Sequence, residues 1–126
     1  MTAAYVDTSC FVAIAFGEKG SRALARRLAE FDVLIATNLL EAEFRGALLR
    51  EEADPTTTFV DGITWVLPDR PLSSEIGRVL SVGYLRGADL WHVACALYLA
   101  DDPAELPFLT LDERQRAVAG GLGFPT

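Results

Sequence analysis

Four acidic residues of this chain occur at positions where acids can take part in chemistry. Asp7 follows the apolar run 3–6, and Asp112 follows the apolar run 108–111. A helical pattern comes after each, so both acids are expected at the carboxyl ends of strands, where open α/β sheets bind ligands. Glu43 and Asp89 lie near the starts of two further predicted helices. The four carboxylates could therefore converge at one edge of a sheet.

Carboxylates gathered in this way need a partner, because like charges a few ångströms apart raise one another's pKa values. Shared protons or a bound divalent cation would relieve the repulsion. Oxygen ligands without a Cys/His set favour Mg²⁺ or Mn²⁺ over zinc. Magnesium retains several waters, and one of them can be lowered in pKa and directed at a phosphodiester. The pattern therefore indicates metal-dependent hydrolysis.

Each acid also has a simpler interpretation. Asp7 could only cap the helix that follows it, and Asp89 could only complement a helix dipole. Glu41 is explained by an exposed ion pair, since Arg45 follows it by four residues. Glu43 has only small or apolar residues one turn away on its helix, so its carboxylate must face water, a distant partner or a cation. Glu43 is therefore favoured over Glu41 as a site residue.

Composition bounds the class of protein. The 126 residues are 51% hydrophobic and 23% charged, which predicts one globular domain over residues 1–126. The net charge of −7 opposes nonspecific adhesion to nucleic acid but leaves a nuclease possible, because a metal neutralises acids locally. No apolar run is long enough to span a membrane, and no leader sequence is recognised at the N-terminus. Cys10 and Cys95 are expected to be buried free thiols, so a cytoplasmic location is predicted.

Strand and helix patterns alternate along the chain. Predicted strands lie at 3–6, 33–36, 64–67 and 108–111, with a short fifth edge strand at 123–124. Predicted helices cover 10–16, 19–31 and 39–52, then segments starting near 73, 89 and 113, whereas 59–63 is not assigned. This order predicts a three-layer α/β/α sandwich with a mostly parallel sheet of about five strands.

Four segments resemble, in order, the blocks of a PIN domain: YVDTS at 5–9, TNLLEAEFRGAL at 37–48, RGADLWHVACAL at 86–97 and FLTLDERQRAVAGGLGF at 108–124. More narrowly they resemble the VapC-type ribonuclease toxins of bacterial toxin–antitoxin modules. The resemblance implies an acidic quartet that binds magnesium or manganese and cleaves RNA: Asp7, Glu43, Asp89 and Asp112. A hydroxyl residue six positions before the helix-borne glutamate belongs to the family pattern, and Thr37 stands at that distance from Glu43.

Other positions acquire roles from the same comparison. Thr8, Ser9 and Thr110 match residues that often support the site through hydroxyls, and Arg45 and Arg86 are plausible phosphate contacts. The implied partners are an RNA substrate and a small antitoxin that covers the site and binds operator DNA with its other end. A homodimer formed through apolar helices is also implied, with no membrane contact.

Two features depart from the family pattern, and one histidine is ambiguous. Segment 52–65 is shorter than usual, and Trp91 stands where many relatives have a smaller residue. His92 lies one turn after Asp89 and could be a ligand or a proton carrier. A lone histidine on a packed helix is more often a hydrogen-bonded structural residue, and the family does not generally count this position as catalytic.

Two functions of other classes compete with a nuclease. A PIN-like module that binds RNA or protein without catalysis would keep the fold, although retention of all four acids opposes this. A receiver-like phosphoacceptor domain also gathers acids at strand ends, but it needs an early acid pair and a late lysine. Lys19 is the only lysine and lies early, so this alternative is disfavoured.

Overall fold

Four parallel strands form the centre of the fold. The computed structural model describes residues 2–54 and 60–126, and all statements below refer to these. In chain order the strands are β1 (Ala3–Val6), β2 (Val33–Thr37), β3 (Thr64–Val66) and β4 (Phe108–Leu109). They lie side by side in the order β3-β2-β1-β4, with Tyr5 of β1 paired to Ile35 on one side and to Phe108 on the other. Strand β1 is therefore central, and the residue after it lies at the carboxyl edge of the sheet.

Six helices connect and cover the strands. They are α1 (Thr8–Ala15), α2 (Ser21–Ala29), α3 (Leu39–Arg50), α4 (Ser73–Val82), α5 (Gly87–Leu99) and α6 (Glu113–Gly121), and a 3₁₀ turn lies at Pro103–Glu105. Parallel strands require such crossover connections, so the predicted α/β alternation and the parallel sheet are both confirmed.

The two faces of the sheet carry separate hydrophobic cores. Successive strand residues point to opposite faces, so Tyr5 packs with α4, α5 and α6. Its neighbours Ala4 and Val6 pack with α1, α2 and α3 on the other face. In the same way Phe108 of β4 faces the first core and Leu109 the second. The fold is thus the predicted three-layer α/β/α sandwich.

The prediction of about five strands is wrong by one among the described residues. The expected edge strand at 123–124 lies beside β4, and the N–H of Phe108 donates to the carbonyl of Pro125 at 2.8 Å. Gly123 turns the chain with φ +105°, and Phe124 is buried. Pro125 has no N–H to return a bond, so the pairing does not become a ladder.

Several predicted boundaries also shift. The strand expected at 108–111 ends at Leu109 because side chains bind the next backbone groups: Arg116 donates to the carbonyl of Thr110 at 2.8 Å, and Ser9 Oγ accepts from the N–H of Leu111 at 3.0 Å. Helix α2 is shorter than the predicted 19–31. The segment 52–65, predicted to be shortened, lies partly outside the described residues, as does the unassigned stretch 59–63.

Both cysteines are buried free thiols, as predicted. Burial raises the pKa of Cys10 to about 12 and that of Cys95 to about 11, so neither thiol ionises near neutral pH. Among the described residues, we find no helix with the length and hydropathy needed to cross a membrane.

Candidate active site

Two of the four predicted acids are helix caps at the carboxyl edge of the sheet. Asp7 directly follows β1 and caps α1, where its Oδ2 accepts a hydrogen bond from the N–H of Ser9 at 3.1 Å. The simpler interpretation of Asp7 as a helix cap is therefore confirmed, although Asp7 also lies in the cleft described below. Asp112 follows β4 and caps α6, accepting from the N–H of Gln115 at 2.8 Å. Aspartate suits both places because it satisfies a free N–H and complements the helix dipole.

The other two acids reach the same place from helices on opposite faces of the sheet. Glu43 lies in the second turn of α3, and Asp89 lies in the first turn of α5. All four acids line one open cleft of about 300 Å³. Its lining residues are Asp7, Thr8, Ser9, Val12, Glu43, Ala47, Arg50, Asp89 and Asp112. The structure thus brings together four acids that are up to 105 positions apart in the chain.

Three residues considered from the sequence do not line this cleft. Glu41 and Arg45 form an exposed ion pair at 3.3 Å, which matches the simple explanation of Glu41. Arg45 and Arg86 are absent from the described lining, and Arg86 is the exposed residue that precedes α5. The basic residue that lines the cleft in the described part of the chain is Arg50, at the end of α3.

The pKa values of two acids reflect their surroundings. Burial raises the pKa of Asp89, and the charges of Asp7 and Asp112 raise it further. The pKa of Glu43 is lowered, chiefly by its hydrogen bond with His92 and secondarily by that with Thr8. Asp89 therefore experiences the repulsion expected of clustered acids, whereas Glu43 is compensated by donors.

Asp7 is 4% exposed and is surrounded by polar groups from three elements. Gln115 of α6 donates from Nε2 to Asp7 Oδ1 at 3.3 Å and to the backbone carbonyl of Asp89 at 3.2 Å. Thr110 Oγ1 lies 3.3 Å from Asp7 Oδ2 and 2.6 Å from Gln115 Oε1. His92 Nε2 lies 3.6 Å from Asp7 Oδ1. Asp7 is thus held by hydrogen bonds from α6 and from the segment after β4, and the His92 ring of α5 lies beside it.

Glu43 is held through a single oxygen atom. Thr8 Oγ1 donates to Glu43 Oε1 at 2.8 Å, and His92 Nε2 lies 2.8 Å from the same oxygen. The side chain of His92 is buried, whereas that of Glu43 is one-third exposed. His92 was predicted to be a hydrogen-bonded structural residue. It is hydrogen-bonded, but its partner is one of the four acids.

The three predicted hydroxyl residues lie around the acids. Thr8 binds Glu43, and Thr110 contacts Asp7 and also accepts from the N–H of Asp112 at 3.1 Å. Ser9 Oγ is 3.4 Å from Thr110 Oγ1. These hydroxyls tie the turn after β1 to the turn after β4.

Gln115 and Arg50 were not predicted as site residues, although the spacing of each from a predicted acid could have indicated it. Gln115 follows Asp112 by three residues, which is the spacing of a capping box. Its side chain instead reaches Asp7. Arg50 follows Glu43 by seven residues on α3, so the two lie on one face two turns apart.

The cleft contains donor atoms of the kind that bind a divalent metal ion. The donors are carboxylate oxygens, which Mg²⁺ and Mn²⁺ prefer. Within residues 2–54 and 60–126, however, no three His, Cys, Asp or Glu side chains are arranged to hold one ion. The cap bonds of Asp7 and Asp112 and the two hydrogen bonds at Glu43 Oε1 occupy some of the carboxylate oxygens that a metal ion would use.

Comparison with known proteins gives one match, to a protein family. The family model described as PIN domain matches residues 4–121, which is most of the chain and includes all four acids. Searches of curated proteins and of solved structures find no significant match.

Proposed function

The chain belongs to the PIN domain family, and from this premise we propose that it is a metal-dependent endoribonuclease. PIN domains are generally metal-dependent nucleases, which supports a hydrolase acting on nucleic acid. The observation that carries the proposal is the cleft that Asp7, Glu43, Asp89 and Asp112 line together. The pKa of Asp89 is raised by burial and then by the charges of Asp7 and Asp112, and a bound cation would relieve the repulsion between these carboxylates.

The proposed ligands are Asp7, Asp89 and Asp112, and Glu43 either binds the metal or orients the attacking water. A bound Mg²⁺ or Mn²⁺ would supply positive charge to the phosphate oxygens and lower the pKa of a water. Carboxylate donors without a Cys or His ligand set favour these hard cations over zinc.

The chain's own residues would orient the substrate and the water. Thr8 and His92 fix Glu43 through Oε1, and no hydrogen bond from the described residues reaches Oε2. We propose that this second oxygen accepts a hydrogen bond from the attacking water. Arg50 lines the same cleft and can bind a phosphate oxygen, because a guanidinium forms strong charge-assisted bonds with phosphate.

A narrower role as the toxin of a type II toxin–antitoxin module is part of the proposal. Such a role implies a small antitoxin that covers the cleft, and contact with DNA only through that antitoxin. It also implies a homodimer. Exposed apolar side chains on and after α4 support an interface between copies: Leu80 is 45% exposed, Val82 43% and Tyr84 65%. Sedimentation of the purified chain tests this, and a monomer at every concentration would refute the dimer.

The experiment for the nuclease compares RNA cleavage by the wild type and by Asp7→Asn. The substitution keeps the shape of Asp7 and removes its charge, so cleavage should fall by at least about 100-fold while the circular dichroism spectrum stays unchanged. EDTA should abolish wild-type cleavage, and added Mg²⁺ or Mn²⁺ should restore it. Glu41→Gln is the matched control, because Glu41 is an exposed acid outside the cleft.

Two outcomes would contradict the nuclease. Cleavage that survives both EDTA and Asp7→Asn would come from a contaminant or from another site. Binding of RNA and metal without any cleavage across RNA classes would instead favour the non-catalytic binding module.

A further inference from the structure

A chain of hydrogen bonds runs from the sheet backbone to Glu43 through the buried side chains of Tyr5 and His92. The N–H of Thr37, the last residue of β2, donates to the hydroxyl of Tyr5 at 3.2 Å. That hydroxyl lies 3.3 Å from His92 Nδ1, and His92 Nε2 lies 2.8 Å from Glu43 Oε1. Tyr5 is 0% exposed and His92 is 1% exposed, so water does not compete for these bonds.

The direction of the bonds follows from the first donor. Because the oxygen of Tyr5 already accepts from the backbone, its own proton is free to be donated to His92 Nδ1. Nδ1 then acts as an acceptor, and the ring proton of a neutral imidazole must be on Nε2. Nε2–H points at Glu43 Oε1, and an ionised carboxylate only accepts hydrogen bonds, so Tyr5 on one side of the ring and Glu43 on the other favour the same tautomer.

We propose that His92 is a positioning residue that holds Glu43 in the orientation needed for catalysis, with Tyr5 supporting the tautomer that donates to Glu43. The inference rests on the proposed function, since Glu43 is assigned there to the metal or the water. It differs from a purely structural role because the bond is aimed at a site carboxylate that is itself one-third exposed. Without the His92 donor, Glu43 would keep only the bond from Thr8 and could rotate about it.

The tautomer is directly observable because His92 is the only histidine in the chain. Long-range ¹H–¹⁵N spectra of the ¹⁵N-labelled protein should show a ring proton on Nε2 and none on Nδ1. In the double variant Tyr5→Phe/Glu43→Ala, which removes the partner of each ring nitrogen, the ring should lose this preference and show a mixture of tautomers. A ring with its proton on Nδ1 in the wild type would overturn the proposal.

Function is tested with two substitutions of His92 that differ in one donor. His92→Gln places an amide near the former Nε2, whereas His92→Leu has no donor. Loss of a hydrogen bond that orients a ligand costs about 10- to 100-fold in metal affinity or activity, so His92→Leu should lose that much Mn²⁺ affinity and RNA cleavage. His92→Gln should recover to within a few-fold of the wild type. Equal losses in both variants would show that the ring only fills space.

Two further variants distinguish an effect of His92 on Glu43 from a general effect on folding: a control substitution in the same helix, and His92→Leu combined with Glu43→Ala. Val93→Ala truncates the next residue of α5, which is fully buried in the core with α4 and α6. It should lower stability but keep Mn²⁺ affinity. In a Glu43→Ala background, His92→Leu should cause no further loss of Mn²⁺ affinity, and an additional loss would refute action through Glu43. If His92→Leu does not fold, the wild-type spectrum still decides the proposal, because a neutral ring with its proton on Nδ1 has no hydrogen on Nε2 to donate to Glu43.

These measurements distinguish failure of this inference from failure of the nuclease. The tautomer spectrum needs neither metal nor RNA. If the ring proton is on Nε2 but the protein cleaves no RNA, only the proposed nuclease activity is refuted. If the ring proton is on Nδ1 and the protein cleaves RNA, only the positioning role of His92 is refuted.

Discussion

Replacing Gln115 by leucine tests whether the site is held together by a buried amide. Gln115 is 0% exposed and makes three side-chain hydrogen bonds, to Thr110, Asp7 and the carbonyl of Asp89. Leucine has a similar volume, so the cavity term is small. The hydroxyl of Thr110 can turn to Asp7 Oδ2, which lies 3.3 Å away, so that group keeps a partner. The loss of stability therefore comes from the hydrogen bonds that Gln115 donates to Asp7 and to the carbonyl of Asp89.

The size of the effect follows from those two bonds. A hydrogen bond to a charged group contributes about 1.5–3 kcal/mol and a neutral one about 0.5–1.5 kcal/mol. The gain from burying an apolar side chain offsets a part, so Gln115→Leu should lower the free energy of unfolding by about 1–3 kcal/mol. Urea denaturation followed by circular dichroism measures this. RNA cleavage should also fall at temperatures where the variant is folded, because Asp7 loses a bond that orients it.

Gln115→Glu separates hydrogen bonding from packing. Glutamate has the shape of glutamine but replaces the amide that faces Asp7 with a second carboxylate. Repulsion should make this variant at least as unstable as Gln115→Leu at neutral pH. If Gln115→Glu unfolds at the urea concentration of the wild type, or if Gln115→Leu changes the free energy of unfolding by less than about 0.5 kcal/mol, the account of Asp7 is wrong.

Two further pairs of variants test the cleft and the packing. Arg50→Ala should raise KM for RNA several-fold and reduce the salt dependence of binding by about one ion, whereas Arg45→Ala on the same helix should have the smaller effect. Equal effects would show that Arg50 has no special access to the phosphate. A Cβ on Gly121 would lie 2.7 Å from a methyl of Val82, so Gly121→Ala should destabilise the fold by about 1–3 kcal/mol. Gly46 is in an exposed helical position with open space, so Gly46→Ala should stabilise the fold by about 0.4–1 kcal/mol. Thermal unfolding measures both glycine variants. A higher melting temperature for Gly121→Ala than for Gly46→Ala would contradict the packing described for Gly121.

The sequence predicted the layers of the fold because its signals are local. Apolar runs of strand length alternate with helical periods, and parallel connections follow from that order. The fifth strand was predicted from a similar apolar signal at 123–124. It failed because Pro125 accepts one bond from Phe108 and cannot donate one back. Strand pairing depends on the donors of both partners, which hydrophobic patterns do not report.

The positions of the acids were predictable, but their partners were not. Asp7 and Asp112 have a recognisable place after strands, and Glu43 was distinguished from Glu41 by its lack of a charge partner on its own helix and by the resemblance to a family. The contact of His92 with Glu43 joins residues 49 positions apart, and that of Gln115 with Asp7 joins residues 108 apart. Such contacts depend on how helices cross the sheet, so a single sequence does not reveal which polar side chain faces which acid.

The central claim is that four distant carboxylates form one site for a hard divalent cation, and calorimetric titration with Mn²⁺ and Mg²⁺ tests it most directly. We predict saturable binding to the wild type and to Glu41→Gln, with binding lost or weakened at least about tenfold in Asp7→Asn and in Asp112→Asn. Absence of saturable binding by the folded wild type, or equal affinity in all four proteins, would contradict the claim.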